Sequence, residues 1–224
     1  MTYVAAIQMV SSDAVSKNLE LSEKLIEEAA AKKAKLITLN KKIKKLKKSV
    51  SLIEADLTNL NFYKDLQNII LSKFSNLDFL IISLGRFDGL YPLTHVTDEM
   101  WEETIEINLN SHWRILKTLE PILNNSSSPK VILFSHREIK KGLPFYNSLE
   151  ICKSAIESLA STYNAENKRF KIKIHVVVLQ NLNRGMTSKI SEDNPISEKK
   201  AEQIIKNIIE KCFLDDLKKT LIHL

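Results

Sequence analysis

The residues with the clearest chemical potential lie in the middle of the chain and follow one apolar segment. Val131 to Phe134 is followed by Ser135 and His136 and then, after a polar loop, by Tyr146 and Lys153. Hydroxyl, imidazole, phenol and ammonium groups are the usual participants in general acid and base catalysis. The ordinary pKa of imidazole is the nearest to neutrality, so His136 is a candidate proton donor. His136, with Ser135 before it, is therefore a candidate for a proton-transfer site at the end of a strand.

A strand, a loop and a helix must position these groups. The segment from Val131 to Phe134 has the continuous apolar character of a strand that is buried on both faces. From about Ser148 the chain has apolar or aromatic residues at helical spacing, namely Cys152, Ala155, Ile156, Leu159 and Tyr163. In open α/β sheets, ligands and chemistry collect at the carboxyl ends of the strands. Ser135 and His136 directly follow such an end.

Strands and helices alternate along the rest of the chain. Strands are predicted at 3–9, 35–39, 51–55, 77–83, 131–134, 173–179 and 220–224. Helices are predicted at 19–34, 41–50, 62–74, 98–123, 148–163 and 198–214. Thr97 or Asp98 would cap the long helix at 98–123. This alternation indicates parallel β-α-β units in a three-layer, doubly wound α/β sandwich. At 224 residues the chain suits a single domain, 1–224.

Composition argues against several classes of protein. No apolar run approaches the roughly 18 to 20 residues of a membrane-spanning helix, and the first residues lack the basic flank of a signal peptide. The two cysteines, Cys152 and Cys212, give neither a disulfide framework nor metal-ligand spacing. We therefore expect a cytoplasmic protein without a metal site and without a membrane partner.

The charge pattern raises nucleic-acid binding as a further hypothesis. The formal net charge is +6, and six of the eight residues from Lys41 to Lys48 are lysine. No aromatic residue is interleaved with them, and Ile43, Leu46 and Val50 have the spacing of the buried stripe of a short helix. The run is therefore interpreted as the solvated face of a helix, and nucleic acid is disfavoured as a partner.

Glycine is scarce in this chain. There are only four glycines, Gly85, Gly89, Gly142 and Gly185. Folds that bind a dinucleotide place glycines in their first strand-to-helix turn, where the backbone must approach the pyrophosphate closely. Because none lies before residue 85, the sequence predicts a weak or missing phosphate cradle.

Two longer segments resemble the short-chain dehydrogenase/reductase family. They are LDFLIISLGRFDGLYPLTHVTDEMWEETIEINLNSHWRILKTLEPIL and KVILFSHREIKKGLPFYNSLEICKSAIESLA. The resemblance implies a Rossmann-type fold, transfer of a hydride between NAD(P) and a carbonyl or alcohol, and homo-oligomers that pair through helices 98–123 and 148–163. It divides the domain into a divergent first β-α-β segment, 1–40, and a dehydrogenase-like remainder, 41–224.

The resemblance assigns catalytic positions residue by residue. Asn108 and Lys153 fall on the family's catalytic asparagine and lysine, whereas His136, preceded by Ser135, falls on its serine. The family's tyrosine lies four residues before the lysine, which places the ammonium beside the phenol on one helix face. Here that position is Leu149. With two of the four positions changed, the resemblance implies that catalysis is lost or strongly impaired.

The resemblance also assigns cofactor contacts. The matching positions are Lys41, Asp56, Ser83, Gly85 and Lys153. Lys41, just past the second predicted strand, would favour the 2′-phosphate of NADP over NAD. The family's glycine-rich turn reads MVSSDAVSKN here, and its later Pro-Gly pair reads Gln180-Asn181. The cofactor implied is thus NADP or NAD, if any binds.

Two alternatives stay open beside a pseudoenzyme that serves as a binding or oligomerisation module. The first is a divergent NADP-dependent reductase of a small carbonyl substrate that uses His136 or Tyr146. If helical, Tyr146 would lie about 10 Å from Lys153 along the axis, so it must fold back from the loop to reach the ammonium. The second is a weak resemblance of residues 1–40 to nitrilases, in which Asn40 replaces the required glutamate.

Overall fold

The computed structural model describes residues 4–10, 55–72, 74–136, 142–167, 171–179 and 221–223. The chain divides into two units, Met1–Val10 with Leu57–Leu224 and Ser11–Asp56, and the architecture below is that of the first. The helices predicted at 19–34, 41–50 and 198–214 lie outside the described residues, as do the strand predicted at 35–39 and nearly all of that at 51–55. The prediction of a single domain stays a prediction.

The described strands form one parallel sheet. They are β1 Val4–Val10, β2 Phe79–Gly85, β3 Lys130–His136, β4 Lys173–Leu179 and β5 Leu221–His223. Each strand pairs with the next in chain order, with Val10 opposite Gly85 and His136 opposite Leu179. Because the strands are parallel, their carboxyl ends share one edge of the sheet. The predicted site at the end of β3 therefore lies on the same edge as the end of β2.

Four α-helices accompany these strands in the described part of the chain. They are α1 Leu60–Leu71, α2 Asp98–Ile105, α3 Ser111–Leu123 and α4 Asn147–Glu166. A π-helical turn, Glu106–Asn110, joins α2 to α3 without a loop, and a short 3₁₀ helix, Leu93–His95, precedes α2. The Thr97 side chain accepts from the Met100 amide at 3.2 Å, which confirms Thr97 as the N-cap of α2.

The core lies where the sheet meets these helices. Buried apolar side chains of β2, β3 and β4 form one cluster with those of α1, α3 and α4, including Leu80, Ile82, Leu133, Val176, Leu66, Ile115 and Ile156. Full burial of each such side chain stabilises the fold by about 1.5 to 3 kcal/mol. The cluster holds α3 and α4 against the sheet, with Asn108 in the turn just before α3 and Lys153 in α4.

Most predicted elements in the described part are confirmed, with shifted ends. The strand at 173–179 is found as predicted, whereas that predicted at 77–83 is Phe79–Gly85. Asp78, just before β2, accepts side-chain hydrogen bonds from Asn76 and Ser126, so this residue anchors a turn instead of starting the strand. Parallel strands alternating with helices confirm the predicted α/β class. Among the described residues, no helix has the length and apolarity needed to cross a membrane.

Candidate functional site at the strand edge

The site forms where the carboxyl ends of β2 and β3 meet the π turn and α4. Asn108 comes from the π turn, Ser135 from the end of β3, and Lys153 from the second turn of α4. All three side chains are buried. The structure therefore gathers three of the predicted catalytic residues in one region of the fold, and their partners show what each one does there.

Asn108 is held by the backbone of the residue that follows β2. Its Oδ1 accepts from the Arg86 amide at 2.8 Å, and its Nδ2 donates to the Arg86 carbonyl at 2.8 Å. The side chain is completely buried. Both ends of the amide thus satisfy backbone groups that would otherwise be buried without partners. Asn108 fastens the π turn to the end of β2.

Lys153 uses its ammonium group in a similar way. Its Nζ donates to the carbonyls of Leu84 in β2 and Phe134 in β3, at 3.4 and 3.3 Å. Only 6% of the residue is exposed. Burial lowers the pKa of Lys153 to about 8, because the charged form loses its hydration. The ammonium bridges two neighbouring strands at their carboxyl ends.

Leu149 occupies the position at which a phenol was expected. It is 3% exposed and lies one turn before Lys153 on α4. A leucine side chain has no polar group with which to donate or accept a proton. An apolar side chain therefore fills the position four residues before Lys153.

Tyr146, the candidate phenol, lies where the loop meets α4. It is the residue before α4, and its ring stacks on Phe87 with centroids 5.7 Å apart and planes 25° apart. Burial, and secondarily the charge of Glu150, raise the pKa of Tyr146. A phenol with a raised pKa is a weaker acid at neutral pH, so this environment acts against the proposed role of Tyr146.

The other two candidates lie at the end of β3. Ser135 donates from Oγ to Glu157 Oε1 of α4 at 2.8 Å, so its hydroxyl hydrogen is engaged by a helix carboxylate. His136 is the last residue of β3, and its side chain lies outside the described residues. The hypothesis that His136 is a proton donor stays a prediction.

Sequence reasoning missed a buried histidine close to Lys153. His112, in the first turn of α3, is 1% exposed, and neither ring nitrogen has a hydrogen-bond partner among the described residues. Burial, together with the charge of Lys153, lowers the pKa of His112 to about 3. Its position four residues after Asn108, and thus on the same face of the helix, is the signal that could have drawn attention to it.

Of the predicted cofactor residues, the structure describes Asp56, Ser83, Gly85 and Lys153, whereas Lys41 lies outside the described residues. Ser83 and Gly85 lie at the end of β2, and Asp56 is exposed. Lys153, the predicted ribose contact, donates to the carbonyls of Leu84 and Phe134. Residues 11–18 of the turn that would hold the phosphates lie outside the described residues, so the cofactor contacts stay a prediction.

Among the described residues that follow β2, the guanidinium of Arg86 is also engaged in ion pairs. Arg86, directly after β2, pairs through Nε with Asp88 at 2.9 Å and through a terminal nitrogen with Glu103. Two carboxylates compensate its charge. Arg86 is therefore not available as a phosphate ligand while these pairs persist.

A groove on the outside of α2 and the π turn is acidic. It has a volume of about 560 Å³ and is lined by Thr58, Trp101, Glu102, Glu103, Ile105, Glu106 and Asn110. Of its three carboxylates, Glu103 pairs with Arg86 and Glu106 pairs with Arg114, so much of the negative charge of the groove is compensated. Among the described residues, no group of three histidine, cysteine or acidic side chains could hold a metal ion.

Comparison with known proteins gives the same picture of the fold. A family model described as enoyl-(acyl carrier protein) reductase matches residues 25–211. An uncharacterized NAD-dependent oxidoreductase of Mycobacterium tuberculosis is 26% identical over 106 residues, which are 47% of this chain and 38% of that protein. The matched segment is thus little more than a third of that relative.

Solved structures match most of the chain at low sequence identity. A short chain dehydrogenase from Salmonella enterica serovar Typhi has a TM-score of 0.70 at 16% identity, covering 76% of this chain and 72% of that one. A Shigella flexneri protein described as a short chain dehydrogenase, solved with NADP, has a TM-score of 0.62 at 14% identity, covering 84% and 71%. These matches confirm the predicted Rossmann-type doubly wound fold.

Proposed function

The chain belongs to the short-chain dehydrogenase/reductase family, and from this premise we propose that it is a member in which hydride-transfer catalysis is lost or strongly impaired. The fold then serves as a binding and oligomerisation module. The observation that carries this proposal is the pairing of Leu149 with Lys153. A buried leucine stands at the position of the general acid, and the lysine ammonium bonds to two strand carbonyls.

The surroundings of the site support the same conclusion. Asn108 is committed to the backbone of Arg86, and the hydroxyl hydrogen of Ser135 is committed to Glu157. Loss of a positioned general acid alone reduces rates by about 10² to 10⁴. A cofactor, if one binds, would be NADP or NAD, as in the Shigella flexneri structure that contains NADP, and its affinity would be low.

Calorimetric titration of the folded protein with NADPH and with NADH tests the proposal. We expect no binding tighter than about 100 µM, which corresponds to roughly −5.5 kcal/mol. Tighter binding, together with NADPH oxidation by small carbonyl compounds, would overturn the proposal and favour the divergent reductase. His136→Ala and Tyr146→Phe would then show whether either residue supplies the proton.

Homo-oligomerisation through helices 98–123 and 148–163 is the binding role that the surface supports. The outer faces of α2, α3 and α4 carry the exposed side chains of Trp101, Trp113 and Ile151. Exposed tryptophan is uncommon on a monomer surface and enriched in interfaces. A second copy of the chain would cover these side chains.

The compartment and the remaining partners follow from the same proposal. We place the protein in the cytoplasm because Cys152 is a free, buried thiol and the two cysteines form no disulfide framework. A small-molecule ligand of unknown identity remains a candidate partner. Nucleic acid is disfavoured because no aromatic residue is interleaved with the lysine run at 41–48.

A further inference from the structure

Two loops at the strand edge are fastened to each other. We call residues 86–91, which follow β2, the anchor loop, and residues 143–147, which lead into α4, the strap. The Tyr91 amide of the anchor loop donates to the Phe145 carbonyl of the strap at 3.1 Å, and Asn147 Nδ2 donates to the Gly89 carbonyl at 3.2 Å. The stacked rings of Phe87 and Tyr146 form the third contact.

The strap holds its shape against backbone strain. Phe145 has φ +71° and Asn147 has φ +42°, and both are non-glycine residues in the left-handed region. This conformation costs roughly 1 to 2 kcal/mol for most L-residues and less for asparagine. The Phe145 side chain, 54% exposed, gains little from packing that could offset the strain. The three contacts with the anchor loop hold the strap in place, together with two bonds inside the strap, from the Tyr146 amide to the Leu143 carbonyl and from Asn147 Nδ2 to the Phe145 carbonyl.

The anchor loop is fixed on its other side. Arg86 pairs with Asp88 and Glu103, and Thr104 Oγ1 donates to Asp88 Oδ2 at 3.2 Å. These contacts tie the loop to α2. The strap contains the two residues with positive φ, whereas the anchor loop is held by ion pairs and by the bond from Thr104. We therefore expect the strap to move away while the anchor loop stays in place.

Both loops lead directly to the buried site along the chain. The strap continues directly into the first turn of α4, where Ser148 and Leu149 are buried, and then to Lys153. The anchor loop leaves β2 just after Leu84, whose carbonyl accepts from Lys153 Nζ. Release of the strap would expose this turn and the carbonyl-bound ammonium behind it.

We propose that the strap, residues 143–147, is a strained closure that opens by local release from the anchor loop and thereby controls access to the Lys153 site. The inference goes beyond the proposed function, because it concerns entry to the site and not the chemistry performed there. It holds whether or not a dinucleotide binds. Small molecules and solvent reach the site only in the open form.

Hydrogen exchange at the Tyr91 amide reports the closure directly, since that amide is bonded to Phe145 across the gap. We expect it to exchange faster than the amide of Ile115 in α3, and at a rate that low concentrations of urea do not change. Such independence of urea indicates local opening, because global unfolding exposes much more surface. Exchange of the Tyr91 amide only through global unfolding would overturn the proposal.

Asn147→Asp removes the side-chain donor of the closure. Aspartate tolerates the left-handed conformation and keeps the acceptor for Ser148 Oγ, which donates to Asn147 Oδ1 at 3.1 Å. It cannot donate to the Gly89 carbonyl or to the Phe145 carbonyl, to which Asn147 Nδ2 also donates at 3.1 Å. Loss of the bond to Gly89 alone corresponds to roughly threefold to tenfold faster exchange at Tyr91, so we expect at least this increase. An unchanged rate would contradict the role of this contact.

Phe145→Gly and Phe145→Ala form a matched pair that isolates the strain. Both remove the phenyl ring, but only glycine relieves the positive φ. We expect the Tyr91 amide to exchange about threefold to tenfold more slowly in the glycine variant than in the alanine variant, after allowance for the greater freedom of glycine in the open form. Equal rates would show that strain plays no part.

Acetylation of Lys153, followed by peptide mass spectrometry, tests the link to the site. In Asn147→Asp the rate should rise by the same factor as exchange at Tyr91, while acetylation of exposed lysines stays constant. If exchange at Tyr91 rises and acetylation of Lys153 does not, the strap does not control the site. Neither readout requires a cofactor, so this test is independent of the dinucleotide titration.

Discussion

Lys153 carries a burial penalty that should be visible in the pH dependence of stability. Its folded pKa of about 8 is below the ordinary value of 10.5, so above pH 8 the unfolded chain binds more protons at this residue. Stability therefore rises with pH in this window, by about 1 kcal/mol between pH 8 and pH 9. Urea unfolding of the wild type and of Lys153→Met should show this difference in slope.

The methionine variant is the appropriate control because every other titrating group remains. Cys152, whose pKa burial raises to about 11, acts in the opposite direction above pH 9 but does so in both proteins. Parallel stability curves for the two proteins between pH 8 and pH 9 would contradict a buried, charged Lys153.

His112 should make the fold sensitive to acid. Its folded pKa of about 3 is below the ordinary 6.5, so its contribution is complete above pH 6.5 and is lost as the pH falls toward 3. The loss reaches about 3 kcal/mol by pH 4.5. In His112→Leu this part of the acid destabilisation should disappear, as measured by urea unfolding at pH 7 and pH 4.5. A stability difference between the two proteins that is the same at both pH values would argue against it.

The elements that carry the candidate residues could be predicted from the sequence, but the contacts of these residues could not. Asn108 lies within the predicted helix 98–123, and Leu149 and Lys153 lie within the predicted helix 148–163. Their partners come from distant segments: Arg86 for Asn108, and the carbonyls of two strands for Lys153. Hydrogen bonds of this kind depend on tertiary geometry, which the periodicity of apolar residues along one helix does not reveal.

At the scale of elements, the π turn is stabilised by the two hydrogen bonds between the Asn108 side chain and the backbone of Arg86, which we call the Asn108 clamp. Asn108→Ala would leave the amide and the carbonyl of Arg86 without their buried partner. Each unsatisfied buried group costs about 1 to 3 kcal/mol, so we expect the free energy of unfolding to fall by about 2 to 4 kcal/mol. Denaturant unfolding measures this change.

Thr97→Ala provides the scale for that measurement. It removes a helix cap from the same continuous helical segment, and its expected cost is about 1 kcal/mol. If Asn108→Ala costs no more than Thr97→Ala, the clamp does not stabilise the turn in the way described.

Element positions followed from apolar periodicity, and element ends did not. The strand at 173–179 ends in the apolar run Val176–Leu179 before the polar Gln180 and Asn181, and its bounds were predicted correctly. The helix predicted at 98–123 is interrupted by the π turn at Glu106–Asn110. One extra residue in a helical turn leaves the apolar pattern almost unchanged. The residue that Asn108 of this turn contacts, Arg86, lies 22 residues away in the sequence.

At the scale of the whole molecule, the proposed pairing of subunits can be tested at Ile151. This side chain is exposed on α4, and a glutamate in its place would bury a charge in the interface. We expect Ile151→Glu to weaken self-association at least about 100-fold in analytical ultracentrifugation. Leu71→Glu is the matched control, because Leu71 is similarly exposed on α1, outside the proposed interface. A monomeric wild type, or equal effects of the two variants, would refute the pairing.

The Asn108 clamp also has a meaning for the order in which the chain folds. It joins residues only 22 apart, whereas Lys153 reaches back 69 residues to Leu84. Shorter loops close with a smaller loss of chain entropy. The unit formed by β2, α2, the π turn and α3 should therefore form in the folding transition state, ahead of the docking of α4. Asn108→Ala should then slow refolding, and Lys153→Met should act mainly on the unfolding rate.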